Sequence, residues 1–324
     1  MNKLTVVSLC DGISIGRLAL EQLGCDVDYY RAEIKETANK LAMERFPDSH
    51  NLGDVTKVGY KNGILYSELG NYNVGHIDMV MFGSPCQNFS RAMHTEDRIG
   101  LEGSKSSLFY QCLRILKECQ PDYYFMENVI MKKEDQQAIS DMLGVEPVRI
   151  NGSYFTAALR DRLYWANWDI KLPENHGANL QSILTDGYTN RDRARALLCS
   201  DSRPLTTPVK MAHRFLSSGF TTLIFKDEQH YKDCVAEYKR ISGGIRKLTA
   251  KDLDGYDGDV FDGVRYMNQV ELERCQGVPE GYTSCLTRHE ASDTLGDSWC
   301  LPVIKWCFSF MKTMQNDSNL EETI

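Results

Sequence analysis

The sequence lacks any long apolar run, any low-complexity tract and any repeat of fixed period. The apolar stretch at residues 4–10 is too short to cross a membrane, is interrupted by Asp11 and lacks the cleavage pattern of a signal peptide. We therefore expect a conventional globular fold with no membrane insertion and no export. A length of 324 residues favours one large domain that carries a smaller lobe.

The sequence also lacks an excess of positive charge, since it has 37 Lys and Arg residues and 45 Asp and Glu residues, for a net charge of -8. Indiscriminate adhesion to nucleic acid is excluded, because phosphate neutralisation requires clustered cations. Any nucleic-acid surface must be local. The sequence offers Arg191, Arg193 and Arg195, and a second basic segment at residues 210–214, although short charged runs are more often solvated faces.

A disulfide framework is not indicated, although the chain has eleven cysteines. They are scattered through ordinary apolar stretches of a long chain, as Cys112 and Cys300 are, which is typical of reduced thiols. We expect an intracellular protein, in the cytoplasm of a bacterium or a phage-infected cell, or in the nucleus if the source is eukaryotic. No metal-binding residues are predicted.

The first half of the chain alternates short apolar runs with segments of helical periodicity. The predicted strands are residues 5–9, 29–32, 77–82 and 123–126, and the predicted helices are residues 15–23, 36–45 and 107–118. This alternation predicts an α/β fold built on a Rossmann-like, doubly wound, mostly parallel sheet. Beyond about residue 169 the pattern becomes irregular, which indicates a smaller lobe, and helical order returns at residues 268–275 and 303–314.

Three carboxylates follow successive predicted strands: Asp11, Glu33 and Asp54. Asp11 stands in a βα turn with Gly12, where the backbone can approach a ligand closely, although a tight turn without a ligand is the commoner meaning of such a motif. Glu33 could accept hydrogen bonds from ribose hydroxyls, and Asp54 could face an adenine amino group. The alternative is that these residues cap helices. The absence of a Walker-type loop favours a nucleoside without polyphosphate, such as S-adenosylmethionine.

A thiol and a carboxyl group follow two further predicted strands. Cys86 lies in the segment Gly-Ser-Pro-Cys-Gln at residues 83–87, and Glu127 begins the segment Glu-Asn-Val. One cysteine among eleven is more often a packed apolar residue than a nucleophile. Its combination with Glu127 at the same sheet edge favours nucleophilic attack on a heteroaromatic ring.

These motifs resemble those of the C5-cytosine DNA methyltransferase family, most closely the catalytic domain of the animal de novo enzymes or a compact phage or bacterial relative. Pro-Cys-Gln at 85–87, Glu-Asn-Val at 127–129 and Arg-Asp-Arg at 160–162 occur in the family's order, as does Asp-Gly at 11–12. Near the C terminus, Glu-Arg-Cys-Gln-Gly-Val-Pro at 273–279 and Leu-Gly-Asp-Ser-Trp at 295–299 are similar to the family's last motifs. Ala158, Val278 and Asp297 depart from the common pattern without removing a catalytic group.

The resemblance implies transfer of a methyl group from S-adenosylmethionine to C5 of a flipped-out cytosine. It implies Cys86 as the nucleophile that adds to C6, Glu127 as the group that binds N3 and the exocyclic amine, and Arg162 as a cation beside both, with Arg160 and Asn128 in support. The cofactor residues that it implies are Asp11, Gly12, Ile13, Gly16, Glu33, Ile34, Asp54, Val55, Ser84, Pro85, Leu108, Asp297, Ser298 and Trp299.

The resemblance also implies a SAM-binding catalytic domain at residues 1–168 and 264–324 and a target-recognition domain at 169–263 that reads double-stranded DNA. It leaves room for a homo-oligomer. Three alternatives stay open: a tRNA cytosine-5 methyltransferase, a non-catalytic regulator with the same fold, and a simple nucleotide-binding protein. Retention of Cys86, Glu127 and Arg162 together argues against the regulator, and a simple nucleotide-binding protein leaves Pro-Cys-Gln at 85–87 unexplained.

Overall fold

The computed structural model describes residues 3–84, 107–197, 207–218, 221–243, 248–253, 255–256 and 258–312. The chain divides into two compact units. The first, here called the sheet unit, contains Met1–Tyr154, Asp161–Glu174 and Ser298–Ile324, and the second unit contains Phe155–Arg160 and Asn175–Asp297. Within the described ranges, no helix combines the length and the apolar character that a membrane span requires.

The sheet unit is built on a seven-stranded sheet in the order β3-β2-β1-β7-β8-β10-β9. Five neighbouring strands, from β3 to β8, run parallel, and β10 lies antiparallel between β8 and β9. The seven strands are β1 (Leu4–Leu9), β2 (Val27–Ala32), β3 (His50–Asn51), β7 (Met79–Phe82), β8 (Tyr123–Val129), β9 (Val148–Asn151) and β10 (Asp161–Ala166). The mostly parallel sheet confirms the predicted fold class.

Helices cover both faces of this sheet. On one face, Phe82 of β7 packs in a common core with Phe109 of α3 (Ser107–Cys119) and Ile139 of α4 (Lys133–Leu143). On the other, Phe125 of β8 meets Phe308 of α9 (Leu301–Phe308) edge to face at 5.1 Å. All four residues of β7 are buried, as expected for a central parallel strand that is covered on both sides. The remaining helices of this unit are α1 (Ile15–Gln22) and α2 (Glu36–Arg45).

A small antiparallel sheet, which the sequence patterns did not predict, lies between β3 and β7 in the chain. Its strands are β4 (Gly59–Lys61), β5 (Ile64–Ser67) and β6 (Gly70–Asn73). Tyr72 of β6 contacts the rings of Tyr30 and His50, and Tyr60 of β4 donates its amide to Glu118 of α3 at 2.9 Å. The small sheet is therefore attached to the edge of the main sheet.

The second unit is mainly helical and has its own apolar core around Phe215, Phe225 and Phe261. Its elements are α5 (Pro208–Ser218), β11 (Leu223–Ile224), α6 (Glu228–Ser242), β12 (Arg265–Tyr266), α7 (Gln269–Gln276) and α8 (Arg288–Asp297). Helix α7 begins with a capping box, in which Asn268 and Glu271 bond reciprocally.

The division into units differs from the predicted domain limits at residues 155–160, at residues 169–174 and, over the longest stretch, at residues 264–297, which were grouped with the catalytic domain. In the structure this segment belongs to the second unit, because Arg265 bonds Asp186 and Glu271 at 2.7 and 2.8 Å, and Arg274 donates to Ile183 O at 2.8 Å. The assignment of residues 169–263 to target recognition stays a prediction.

The predicted helices and strands of the sheet unit match the observed ones to within a few residues, with two notable differences. Strand β8 continues to Val129, past Glu127, because β10 pairs with it and brings Arg162 opposite Val129. Glu127 therefore lies inside the strand and not after it. The last helix, predicted for 303–314, begins at Leu301 and ends at Phe308, and the end of the predicted range lies outside the described residues.

Candidate active site

The carboxyl ends of the central parallel strands bring most of the predicted site residues to one edge of the sheet. Strand β1 ends at Leu9 before Asp11, β2 ends at Ala32 before Glu33, and β7 ends at Phe82 before Ser84. Their parallel register places these ends side by side. This is the edge at which open α/β sheets bind ligands.

The turn after β1 has an unusual backbone. Cys10, Gly12 and Ser14 have φ of 54°, 60° and 58°, and such left-handed conformations are uncommon for the two residues that are not glycine. A Cβ at Gly12 would meet no atom within 4 Å, so open space borders the turn there. Strained backbone beside open space is typical of a ligand site.

Glu33 holds this turn to the end of β2. One carboxylate oxygen accepts the amide of Gly12 at 2.8 Å, and the other accepts the amides of Ile34 and Lys35 at 2.9 and 2.8 Å. Each carboxylate oxygen has two acceptor sites, so Glu33, which is half-buried, keeps capacity for a further donor. A ribose hydroxyl would suit that capacity.

Asp11 has a supporting position. Its carboxylate accepts the hydroxyls of Tyr29 at 2.6 Å and Ser14 at 2.5 Å, and burial raises its pKa, against the lowering effect of these bonds. Beneath it, the fully buried Arg31 donates to Ser49 and Asn39. Asp11 therefore fixes the shape of the turn. Tyr29 and Arg31 were missed by sequence reasoning, although an arginine inside a predicted buried strand is an available signal.

Ile34, Asp54 and Val55 have contrasting environments. Ile34 is 73% exposed, an unusual state for a large apolar side chain beside an ordered carboxylate, whereas Val55 is buried. Asp54 accepts the amide of Thr56 at 2.8 Å and so caps the short 3₁₀ turn Val55–Lys57, as the capping alternative anticipated. Its own amide donates to Glu68 at 2.9 Å. Glu68 belongs to the small sheet, and no sequence motif pointed to it.

Trp299 packs where two glycines leave room for its indole. A Cβ at Gly83 would lie 2.7 Å from Trp299 Nε1, and one at Gly16 would lie 2.5 Å from the Met81 sulfur and 3.3 Å from the Trp299 ring. The indole also meets Phe125 edge to face at 5.5 Å. Close packing against the indole explains Gly83, and close packing against the end of the Met81 side chain explains Gly16.

The residues at this edge fit the expected S-adenosylmethionine. Gly12 borders open space, Glu33 retains acceptor capacity, and Ile34 offers an exposed apolar surface of the kind that a flat base covers. Ile13 and Ser298 are buried, and Leu108 is partly buried against the core on α3. Their contact with the cofactor stays a prediction.

Glu127 and Arg162 form the second part of the site. Arg162 stands near the start of β10, which runs antiparallel to β8, so its side chain returns to Glu127, with Nε 2.9 Å from Oε1. Glu127 is 7% exposed. Among the described residues, Oε1 accepts no well-directed hydrogen bond in addition to this ion pair. A buried acceptor in this state is suited to a ligand that brings a donor.

Asn128 ties β8 to the segment that follows β7. Its side-chain amide donates to the backbone oxygen of Ser84 at 3.3 Å and to the Ser84 hydroxyl at 3.2 Å, and its Oδ1 accepts the amide of Val129 at 2.8 Å. Ser84 directly precedes Pro85 and Cys86, and these two lie outside the described residues. Asn128 of β8 therefore fixes the position of Ser84, the second residue after β7.

Arg160 and Asp297 both belong to the second unit. Arg160 is buried and donates to Gly296 O at 3.0 Å, and so it anchors its segment to the end of α8. Asp297, the last residue of α8, is exposed. The predicted support of Arg160 for the Glu127 cluster, and any contact of Asp297 with the cofactor, stay predictions.

Comparison with known proteins agrees with this geometry. Residues 4–144 match the family model described as C-5 cytosine-specific DNA methylase. The chain is 24% identical to the type II methyltransferase M1.ScrFI of Lactococcus lactis subsp. cremoris, over 93% of the chain and 76% of that protein. It is 35% identical to the orphan methyltransferase M.SPRI of Bacillus phage SPR over 132 residues, which are 40% of the chain and 27% of that relative.

Among solved structures, the methyltransferase EhMeth of Entamoeba histolytica is similar, with a TM-score of 0.66 and 14% identity over 98% of this chain and 99% of that one. At this identity the likeness concerns the fold. The order of the motifs and the match of residues 4–144 together lead to one conclusion: the chain is similar to the C-5 cytosine-specific DNA methylase family, whose methyl donor is S-adenosylmethionine.

Proposed function

We propose that this chain methylates C5 of cytosine in DNA, with Cys86 as the nucleophile and Glu127 as the group that binds the ring. The observation that carries this proposal is the ion pair of buried Glu127 on β8 with partly buried Arg162 on β10, at 2.9 Å. Asn128, the next residue of β8, also donates to Ser84, two residues before Cys86. The type II and orphan methyltransferases to which the chain is similar favour DNA as the substrate.

The chemistry requires attack before methylation, because C5 of cytosine is a poor nucleophile in the intact aromatic ring. The Cys86 thiolate forms a bond to C6, and the ring electrons that it displaces make C5 an enamine-like carbon. When bound, S-adenosylmethionine supplies an electrophilic methyl group to C5. Loss of the C5 proton to water then allows the C6–S bond to break, which restores the ring and frees Cys86.

Glu127 is positioned to stabilise the adduct. A carboxyl group that bonds ring N3 and the exocyclic amine favours the electron flow that attack at C6 requires. Arg162 fixes the orientation of this carboxyl group. The Glu127 side chain has little other freedom, because it is almost fully buried. Asn128 restrains Ser84 and so the backbone that leads to Cys86.

We propose that four residues hold the nucleoside part of the cofactor and that Trp299 closes the site. The four are Gly12, Glu33, Ile34 and Asp54. The target cytosine must leave the base stack, because C6 is inaccessible inside a duplex. Extrusion costs about a few kcal/mol, which contacts in the pocket offset. We assign the reading of the surrounding sequence to residues 169–263.

Bisulfite sequencing of DNA from cells that express the wild type or the Cys86→Ser variant tests this proposal. We expect new cytosine methylation with the wild type and none with the variant. Parallel incubation of purified protein with labelled cofactor and tRNA tests the RNA alternative. Labelled tRNA together with unmodified DNA would contradict the proposal in favour of a tRNA methyltransferase, and no transfer to either would favour a non-catalytic protein.

Glu127→Gln provides a second test, which depends on the described structure. The amide has the same shape but cannot supply a carboxyl proton, so we expect the single-turnover rate of methyl transfer to fall roughly 100- to 10,000-fold. Binding of S-adenosylmethionine should stay within a factor of two of the wild type. Glu134→Gln, at an exposed carboxylate on α4, is the control. An unchanged rate would remove Glu127 from the mechanism.

A further inference from the structure

A cluster of three possible metal ligands lies at the opposite edge of the main sheet. His76 and Asp78 immediately precede β7, and Asp122 immediately precedes β8. One ligand atom from each residue lies within 4.8 Å of the other two. We call these three residues the amino-edge cluster. The sequence offered no signal for it, because 44 positions separate Asp78 from Asp122 and only the pairing of β7 with β8 unites them.

The backbone of the amino-edge cluster is held by the sheet. Asp78 Oδ2 accepts the amide of Thr5 at 2.7 Å, and the Asp78 amide donates to Thr5 O at 3.0 Å. The Tyr123 amide donates to Asp78 O at 2.9 Å, and the side chain of Asn167 donates to Asp122 O at 2.7 Å. The two aspartates are thus fixed to each other through their main chains, so a bound ion would have to order only side chains.

The charges of the cluster favour a cation. Two carboxylates lie close together, and in the described part of the chain neither forms an ion pair with a Lys or Arg. Their only basic neighbour in the cluster is His76, whose Nε2 lies 3.1 Å from Asp122 Oδ2. A divalent cation between the three side chains would compensate both.

The donor set selects the class of cation. One imidazole nitrogen with two carboxylate oxygens suits Zn²⁺, whereas Mg²⁺ and Ca²⁺ prefer oxygen ligands alone. Tetrahedral coordination at Zn–ligand distances near 2.1 Å places ligand atoms about 3.4 Å apart. His76 and Asp122 have side chains that are 56% and 63% exposed, so they can rotate to reach that spacing.

We propose that the amino-edge cluster binds one Zn²⁺ through His76, Asp78 and Asp122, with water in the fourth position. The ion joins the start of β7 to the start of β8. It stands apart from methyl transfer, because Asp122 and Glu127 are five residues apart along an extended strand, a distance of about 16 Å. Its role is to stabilise the two strands whose other ends carry the site.

Isothermal titration of the chelator-treated full chain with Zn²⁺ tests this proposal, with Co²⁺ absorption as a second measurement. We expect one equivalent to bind to the wild type, and at least tenfold weaker binding to His76→Gln and Asp122→Asn. Asp169→Asn removes an exposed carboxylate of the same unit outside the cluster and should bind as the wild type does. The thermal midpoint should rise with Zn²⁺ in the wild type and in this control alone.

The Co²⁺ spectrum separates this site from the cysteines. Nitrogen and oxygen ligands produce d–d bands without the thiolate charge-transfer band that cysteine coordination adds. Equal Zn²⁺ affinity of the wild type and the His76→Gln, Asp122→Asn double variant would overturn the proposal, as would a thiolate band in the first equivalent. Both substitutions are exposed and nearly isosteric, and unchanged far-UV circular dichroism without metal would show that the variants fold.

Discussion

At the residue scale, the packing at the carboxyl edge of the sheet depends on two glycines, Gly16 and Gly83, as much as on the larger side chains. Gly83 stands between β7 and Ser84, and its missing Cβ leaves the space that Trp299 Nε1 occupies. Gly16 leaves room for the end of the Met81 side chain, and a Cβ there would also lie 3.3 Å from the indole. A methyl group must therefore displace the indole or the backbone at position 83, and the Met81 side chain at position 16.

Gly83→Ala should therefore displace Trp299 and weaken the binding of S-adenosylmethionine. Overpacking of this kind costs about 1–3 kcal/mol, so we expect the dissociation constant to rise roughly tenfold. Titration calorimetry measures the change, and tryptophan fluorescence reports the movement of the ring. Gly59→Ala is the matched control, because a Cβ there would find its nearest neighbour at an ordinary 3.6 Å. Equal losses in both variants would show a general loss of stability instead.

At the element scale, the small sheet β4–β6 supports the loop that carries Asp54. Glu68, in the turn between β5 and β6, accepts the Asp54 amide at 2.9 Å, and its side chain also packs against Gly53. An insertion that was not predicted from sequence thus orders one of the proposed cofactor residues. Glu68 acts as a positioning residue, since its effect on the cofactor passes through Asp54.

Glu68→Ala, which removes the acceptor of the Asp54 amide, should weaken the binding of S-adenosylmethionine roughly threefold to tenfold, the equivalent of one net hydrogen bond of about 0.5–1.5 kcal/mol. The maximal rate at saturating cofactor should stay unchanged, because the substitution does not touch the cytosine site. Initial rates at varied cofactor concentration separate KM from kcat. A fall in kcat at unchanged KM would contradict the positioning role.

Helix α7 of the second unit depends on a buried carboxylate at its start. Glu271 is fully buried, and although burial acts to raise its pKa, the bonds from Arg265 and from the amides of Thr185 and Asn268 outweigh this effect and lower it. A lowered folded-state pKa contributes stability above the pH at which the unfolded Glu titrates, about 4.3, and this contribution is lost as the pH falls further.

Glu271→Gln should lower the free energy of unfolding at pH 7 by about 1–3 kcal/mol, because the charge-assisted bonds from Arg265 weaken, while Arg265 keeps its bond to Asp186. Urea unfolding followed from pH 7 to pH 3 should show the difference between wild type and variant narrowing below about pH 4.3. A difference in the free energy of unfolding that is constant over this pH range would show that the ionised state of Glu271 contributes nothing to stability.

At the scale of the whole molecule, the net charge of -8 restricts nucleic-acid binding to local surfaces, and the structure narrows the candidates. Arg193 donates to Ala178 O and Gly177 O, and Arg191 lies over the Phe215 ring at 4.8 Å, so both serve their own unit. Arg195 is exposed. Lys210 and Arg214 are four residues apart on α5, which places them on one face of that helix.

Replacing Lys210 and Arg214 together by Ala should weaken DNA binding and reduce the slope of log affinity against log salt by about two, one for each phosphate contact. The loss should be similar for all sequences, because phosphate contacts carry no base information. Fluorescence anisotropy over a range of salt concentrations measures the slope. Lys239→Ala, on α6, is the control. An unchanged slope would exclude this face of α5 from the interface.

The sequence by itself predicted the fold class, which the structure confirms, and the candidate site, whose residues stay a prediction. Apolar runs separated by helical segments follow from the covalent order of residues and predict a parallel sheet, and residues that follow such strands must meet at one edge. For this reason the order of residues alone predicts that Glu33, Ser84 and Glu127 lie near that edge. Cys86 also rests on its motif, since it lies outside the described residues.

Only the tertiary structure decided the contacts between residues that are distant in the chain. The bond from Asn128 to Ser84 depends on strand order. The pair of Glu127 with Arg162 depends on antiparallel register, and Trp299 meets Gly83 through close packing. Local sequence patterns do not encode these quantities. The same reason explains why Glu68 and the amino-edge cluster carried no signal in the sequence: each unites segments that only the folded sheet brings together.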